Sequence, residues 1–294
     1  MKSKNIKCYR GVKTENLDLA NAKSIEISDK TLFNTYLQKF PQEISELTFT
    51  NLFMWCKHYD FLFMEWKEHL LIFSTDYLKK WKNPMSNNKN VIFFLPPIGA
   101  CPDEIIFELF EELNNIEIHR VPDKISSIIE EKRNDLTIKI IEDRDNWDYV
   151  YKVEDLINLN GQKHRQNRRW LMKFLDEYNY KFSFLNENLI RKCRELQIKW
   201  CKARNCQKYI DIMEETNAIN KALNNFSELD FEGGMLFVDD KCVAYTFGEK
   251  LNSNTLVIHI EKADKNYEGA YRAINNLFLK KYSKKVVYVN REQD

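Results

Sequence analysis

The chain has 294 residues, enough for two domains of ordinary size, and its 44% hydrophobic and 30% charged content excludes a disordered chain. Lys and Arg number 45 against 44 Asp and Glu, so at a net charge of +1 any attraction to nucleic acid or membrane has to be local. The 7 cysteines are scattered with no C-x-x-C pair, which predicts reduced thiols in a cytoplasmic protein and no metal site, Cys201–Cys206 included.

The polar N-terminus has no apolar core of a signal peptide, and no run approaches the ~20 apolar residues that cross a bilayer. Ser28 and Asp29 can cap a helix to Phe40, which Pro41 stops, and Ser45 can cap a second helix, SELTFTNLFMWCKHY, whose aromatic residues read as core. FLFMEW (61–66), LLIFST (70–75) and VIFFL (91–95) read as strands, the first two forming a hairpin across KEH. After Pro96, Pro97 and Gly99 come a helix from Asp103 to Leu113, a strand IEIHRV, a helix from Pro122, and a strand LTIKIIED (136–143).

From Asp148 onward a basic helix runs from Gln162 to Tyr178, then a strand KFSFL (181–185) and helices over 187–204 and 208–226. GGMLFVDD and KCVAYTFGE form a hairpin at Asp239-Asp240-Lys241. TLVIHIEKAD (255–264) is a strand, Gly269 opens a helix to Tyr282, and KVVYVN (285–290) is the last strand. The two halves share one order: helix, helix, three strands, a glycine turn, helix, strand. Both turns carry a Gly-Ala pair, Gly99-Ala100 and Gly269-Ala270. That predicts two similar domains, 1–147 and 148–294, of an α/β class with mixed sheets.

This element order is the one used by GNAT-type acyltransferases. The segments SELTFTNLFMW (45–55), FLPPIG (94–99), DYVYKVEDLINLNGQKHRQNRRWLMKF (148–174), HIEKAD (259–264), GAYRAIN (269–275) and VNREQD (289–294) resemble, in order, a bacterial family. It carries the C-terminal domain of phosphatidylglycerol lysyltransferases and is related to Fem-type aminoacyltransferases. The resemblance implies two tandem GNAT-like domains. It also implies kinship to enzymes that move an aminoacyl group from tRNA to a lipid or cell-wall precursor, so that a tRNA, such an acceptor and a peripheral place at the membrane are its implied partners and location. Two departures stand out. The GNAT phosphate loop Q/R-x-x-G-x-G/A is here Asn266-Tyr-Glu-Gly269-Ala-Tyr271, which weighs against acyl-CoA and toward aminoacyl-tRNA as donor. Family members continue beyond N-R-E-Q-D with a helix and a strand, so the second domain reads as shortened at its C-terminus, with an uncovered edge on its last strand.

Acyl transfer to an amine needs a path for the amine's proton and donors for the developing oxyanion. A strand ending beside a helix N-terminus can supply both, and the amides of Gly269, Ala270 and Tyr271 would face an anion there. Glu261 is the candidate base or amine anchor. Alternation puts His259 beside it on one face, with Ile258, Ile260 and Lys262 on the other. The ordinary reading of His259 is a hydrogen-bonded core residue, and of Glu261 a strand emerging into solvent. Tyr271 can donate to a leaving group and shares a helix face with Asn275. Asn290 and Arg291, with Glu292 and Asp294, sit where the last strand leaves the sheet, the usual ligand end of such sheets, and an arginine there suits phosphate or carboxylate. Lys163, Arg165 and Arg168 form the strongest basic stretch, suited to phosphates or simply to solvent.

No G-x-S-x-G, P-loop, H-E-x-x-H or G-x-G-x-x-G pattern is present, which removes support for hydrolase, NTPase, zinc-protease and Rossmann readings. The sequence therefore predicts an acyl- or aminoacyltransferase, against the alternatives of a non-catalytic binding protein that keeps the fold or a truncated inactive member.

Overall fold

The computed structural model of the chain describes residues 17–77, 91–132 and 138–293. Contacts divide it into two units, Met1–Gln42 with Cys56–Asn146, and Glu43–Trp55 with Trp147–Asp294. Helix α2 (Phe49–Tyr59) thus has its start, through Trp55, in the second unit.

The first unit is built on a 5-stranded sheet in the order β1-β2-β3-β4-β5. The strands are β1 (Lys23–Ser24), β2 (Leu62–Trp66), β3 (His69–Ser74), β4 (Ile92–Phe94) and β5 (Ile116–Ile118). All neighbours are antiparallel except β4 and β5, which run parallel around helix α3 (Pro102–Glu112). Helix α1 (Lys30–Lys39) follows a 3-10 turn, Ile27–Asp29, whose capping box is closed by the Asp29 carboxylate accepting the Glu26 N–H at 2.9 Å. The β2–β3 turn is tighter than KEH suggests. Lys67 and Glu68 alone make it, with φ of 47° and 59°, the left-handed pair that a two-residue hairpin needs. Helix α4 (Asp123–Lys132) follows β5. The strand expected over 136–143 does not form: residues 138–143 have no regular structure, and 136–137 lie outside the described residues. Ile140 and Ile141 are exposed there, so that apolar run is not a core strand.

The second unit has a 6-stranded sheet in the order β6-β11-β10-β9-β8-β7. Its strands are β6 (Val150–Lys152), β7 (Tyr180–Phe184), β8 (Glu232–Val238), β9 (Lys241–Lys250), β10 (Thr255–Ala263) and β11 (Tyr288–Asn290). From β8 to β11 the neighbours repeat the order and directions of β2 to β5, with β10 and β11 as the parallel pair. The last strand is not left bare: β6 pairs antiparallel along β11, Val289 opposite Tyr151, which corrects the expectation of an uncovered edge.

Helix α9 (Ala270–Leu279) connects β10 to β11 and buries Ala270, Ala273 and Ile274 against Leu236, Val238 and Ala244 of the sheet, and Phe278 against Leu256 and Ile258. Each large apolar side chain so buried contributes on the order of 1.5–3 kcal/mol. Helices α5 (Val153–Asn158) and α6 (Arg165–Glu177) pack beside α9 through Leu156, Leu171 and Phe174. The other sheet face meets α7 (Ile190–Arg204), where Gln197 accepts the buried Tyr245 hydroxyl at 2.7 Å and donates to Thr216 of α8 (Ile210–Asn224). Cys201 and Cys206 are joined as a disulfide at the α7–α8 corner, which corrects the expectation of reduced thiols at that pair; Cys8 lies outside the described residues.

Candidate functional site

The ladder between β10 and β11 is short. It runs from Thr255–Tyr288 to Val257–Asn290, while β10 continues to Ala263 along β9 alone among the described strands. The two parallel strands therefore part after Val257 and Asn290. The residues beyond that point on each strand, His259 to Lys262 and Arg291 to Gln293, sit at the carboxyl ends where open α/β sheets hold ligands.

A β-bulge decides which way these side chains point. The β9–β10 register shifts between Ile258 and Ile260, leaving His259 as the extra residue. Gly248 pairs with Ile258 at this place, and a Cβ on Gly248 would lie 2.1 Å from the Val257 carbonyl oxygen. The bulge switches parity along β10. Ile258 packs with α9, and beyond the bulge it is Glu261 that meets α9, while His259 and Lys262 turn to the opposite face. The simple alternation that put His259 and Glu261 on one face is overturned here.

On the α9 face, Glu261, Asn275 and Arg291 come together. Asn275 Nδ2 donates to Glu261 Oε2 at 2.9 Å, and Arg291 Nη2 donates to Oε1 at 3.0 Å. The Glu261 side chain is 7% exposed, so it is a buried carboxylate neutralised by one guanidinium. Arg291 Nε is buried with no hydrogen-bond partner, a donor left over in the same cluster.

On the other face, His259 bridges two carboxylates: Nε2 to Glu249 at 2.9 Å and Nδ1 to Glu292 at 2.8 Å. Burial disfavours the imidazolium, but the hydrogen bonds to Glu249 and Glu292 outweigh it and the pKa is raised to about 9. Burial raises Glu292 as well, with His259 pulling it back. Glu292 also accepts from Asn51 Nδ2 at 2.8 Å and has a left-handed φ of 57°. Asp148 accepts from Asn290 Nδ2 at 2.6 Å, from the Ser45 N–H at 2.9 Å and from Gln293 Nε2 at 2.8 Å. This network fastens the last residues to the segment 43–55. His259 and Asn290 are thus tied into this network and stand apart from the Glu261 cluster.

Further along β10, Lys262 makes two hydrogen bonds of 2.7 Å to Glu215 and lies 3.9 Å over the Trp200 ring. Burial lowers its pKa, against the pull of Glu215. Trp200 Nε1 donates to the Tyr271 hydroxyl at 3.0 Å, which places Tyr271 near this group and not in the Glu261 cluster. Lys199 pairs with Asp264, which accepts the Asn266 N–H at 3.0 Å and so shapes the turn into α9.

Gly269 serves close packing. Its φ is 85°, and a Cβ would lie 2.1 Å from the Trp170 carbonyl oxygen of α6. The Ala270 N–H is bonded to Tyr267 O at 3.1 Å, so that amide is engaged in the turn and does not face an open anion site as expected. The basic stretch stands apart from the Glu261 cluster in its contacts. Lys163 pairs with Asp155 at 3.0 Å, Arg165 is exposed, and Arg168 donates to the carbonyls of Leu159 and Gly161, closing the end of α5. Asp294 lies outside the described residues. Among the described residues no cluster suits a metal ion.

Sequence reasoning passed over Glu249, Asn51, Asp148, Glu215 and Trp200. The glycine in TFGEK was the available signal for the bulge, since a glycine inside a strand marks a close backbone approach.

The fold has known counterparts. A conserved protein of unknown function from Bacteroides thetaiotaomicron shares 29% identity at a TM-score of 0.80, over 93% of this chain and 90% of its own. The C-terminal domain of a putative lysylphosphatidylglycerol synthetase from Agrobacterium fabrum matches at 8% identity and a TM-score of 0.57, over 91% and 79%. FemX matches at 8% and 0.55, over 93% and 89%. No curated protein is similar enough to match. The family model described as phosphatidylglycerol lysyltransferase, C-terminal, matches residues 37–293, and the chain belongs to that family of acyl- and aminoacyltransferase type.

Proposed function

From that membership as premise, we propose that this chain transfers an acyl group, and by preference an aminoacyl group carried on tRNA, to an amine or hydroxyl acceptor where β10 and β11 part. The observation that carries the reading is the buried Glu261–Arg291–Asn275 cluster at the carboxyl end of the opening. A charged pair at that depth costs desolvation, and a binding role for charge offsets that cost better than packing does. In the transfer, the acceptor nitrogen or oxygen bonds to the donor's carbonyl carbon. The ester bond to the ribose oxygen breaks, and one proton passes from the acceptor to that oxygen. Glu261 anchors the acceptor's proton-bearing atom or receives its proton, and Arg291 offers its spare Nε–H to a carboxylate, phosphate or developing oxyanion. Tyr271, held by Trp200 outside the Glu261 cluster, takes no part in the proton transfer in this reading. The engaged Ala270 amide and the N-Y-E-G-A-Y turn favour a tRNA donor over a pyrophosphate-bearing acyl-CoA. Lys163 and Arg165 are the exposed cations available to tRNA phosphates.

Release of radiolabelled amino acid from charged tRNA, with acceptors screened among amines and lipids, tests the proposal. Turnover with an aminoacyl or acyl donor, and its loss in Glu261→Gln at unchanged thermal stability, is expected. Absence of turnover with every charged tRNA and acyl-CoA sinks it. A second reading, a binding protein without turnover, is favoured by one observation: both Glu261 oxygens already accept hydrogen bonds. Ligand affinity that is retained without transfer identifies it.

A further inference from the structure

The corner between α7 and α8 combines exposed apolar tips with exposed cations. Ile210 is 70% exposed, Tyr209 56% and Met213 42%, all on the first turn of α8 or immediately before it, and Tyr209 and Met213 are linked by a backbone hydrogen bond. Between residues 198 and 213 the chain carries Lys199, Lys202, Arg204 and Lys208 against the single acidic Asp211. Lys202, Arg204 and Lys208 are exposed, while Lys199 is held by Asp264. Glu214 and Glu215 follow at once, both half-buried and the latter held by Lys262, so the exposed charges of the corner are Lys202, Arg204 and Lys208 against Asp211. The Cys201–Cys206 disulfide closes the corner, so these side chains are displayed on a covalently tied turn.

We propose that this corner docks on the surface of an anionic lipid bilayer, with Tyr209, Ile210 and Met213 entering the headgroup boundary and Lys202, Arg204 and Lys208 meeting lipid phosphates. Two observations choose this occupant. The charge is complementary to an anionic surface, and aliphatic tips beside cations are the pattern of interfacial segments. A nucleic acid would use the same cations and could stack on Tyr209, but it has no use for an isoleucine that is 70% exposed. No helix among the described residues is long and apolar enough to cross a membrane, so attachment of this kind is interfacial. Docking here has a consequence for position. The same helix α7 carries Trp200, which is bonded to Tyr271 and covers Lys262, so the carboxyl end of β10 lies close to the docking turn. The inference rests on the corner and not on the transfer reaction.

Co-sedimentation of the full chain with vesicles tests it. Equal parts of phosphatidylserine and phosphatidylcholine make the probe, so that retention reports docking and not recognition of an acceptor lipid. Retention on these vesicles, little on phosphatidylcholine alone, and a fall on raising salt are expected. Ile210→Ser with Met213→Ser should weaken retention about tenfold, and Lys202→Glu with Lys208→Glu by at least as much, with melting temperatures unchanged because all four sites are exposed. No retention of the folded wild type overturns the proposal. So does equal retention of the Ser variant, or retention of tRNA that Lys202→Glu with Lys208→Glu abolishes and the Ser variant leaves intact. A chain that docks yet transfers nothing would count against the proposed activity alone.

Discussion

The parallel strand pairs β4–β5 and β10–β11 occupy the same place in two sheets of the same order, and the chain continues differently beyond each ladder. In the first unit β4 stops at Phe94 and runs into Leu95-Pro96-Pro97-Ile98, all buried. Leu95 N–H and Ile98 then bond back to β3, at 3.0 Å to Ile72 O and in a two-way bridge with Leu70. Beyond the ladder β4 is thereby continued as buried apolar chain bonded to β3. In the second unit β10 runs on past its ladder with β11 and places His259, Glu261 and Lys262 there. A repeated topology thus fixes where an opening can form, and the residues after the ladder decide whether it is filled.

The sharpest way to break the comparison is at the two glycine turns. Gly269→Ala meets the Trp170 carbonyl, which belongs to a helix backbone, at a φ of 85°, and should destabilise the second unit by about 3–4 kcal/mol. Gly99→Ala meets the His69 ring, whose Cδ2 lies 2.1 Å from the added Cβ, at no unusual φ. The ring is buried and both its nitrogens are bonded to the carbonyls of Lys67 and Ala100, so it gives way only by breaking these bonds, and about 2–3 kcal/mol is expected there. Denaturant unfolding of both variants, followed by probes in each unit, checks the order; the reverse order would contradict the packing role assigned to Gly269.

A pH series comes next. The folded pKa of His259 is about 9, above ~6.5 in the unfolded chain. Its contribution is therefore fully present below about pH 6.5 and is lost as pH rises through about 9. The loss should approach about 3 kcal/mol in the second unit, and His259→Gln should flatten it. The smallest effect expected is at the α7–α8 corner. Cys201 and Cys206 are separated by 5 in sequence, so reducing the bond or replacing both by Ser should cost about 2 kcal/mol, measured as a shift of melting temperature with and without dithiothreitol.

Much of this frame was legible in the sequence, because strand alternation, the Asp239-Asp240 turn and the glycine before α9 are local signals. Glu261, Asn275 and Arg291 were all singled out, Asn275 from helix periodicity and Arg291 from its place at a strand end. What was not legible is non-local. The bulge at His259 depends on a missing Cβ on the neighbouring strand, at Gly248, and it reverses the face of every later residue of β10. The partners of Glu292 and Asp148, Asn51 and Ser45, come from a segment roughly a hundred residues or more away that reads as plain core. The edge of β11 is covered by β6, a three-residue strand too short to show a period.

The central claim is that Glu261 serves transfer, and the kinetics of Glu261→Gln test it most directly. With charged tRNA as donor and the chain at matched stability, the account predicts a fall in kcat of about 10²–10³-fold with the fold intact. An unchanged kcat in a folded Glu261→Gln protein would contradict it.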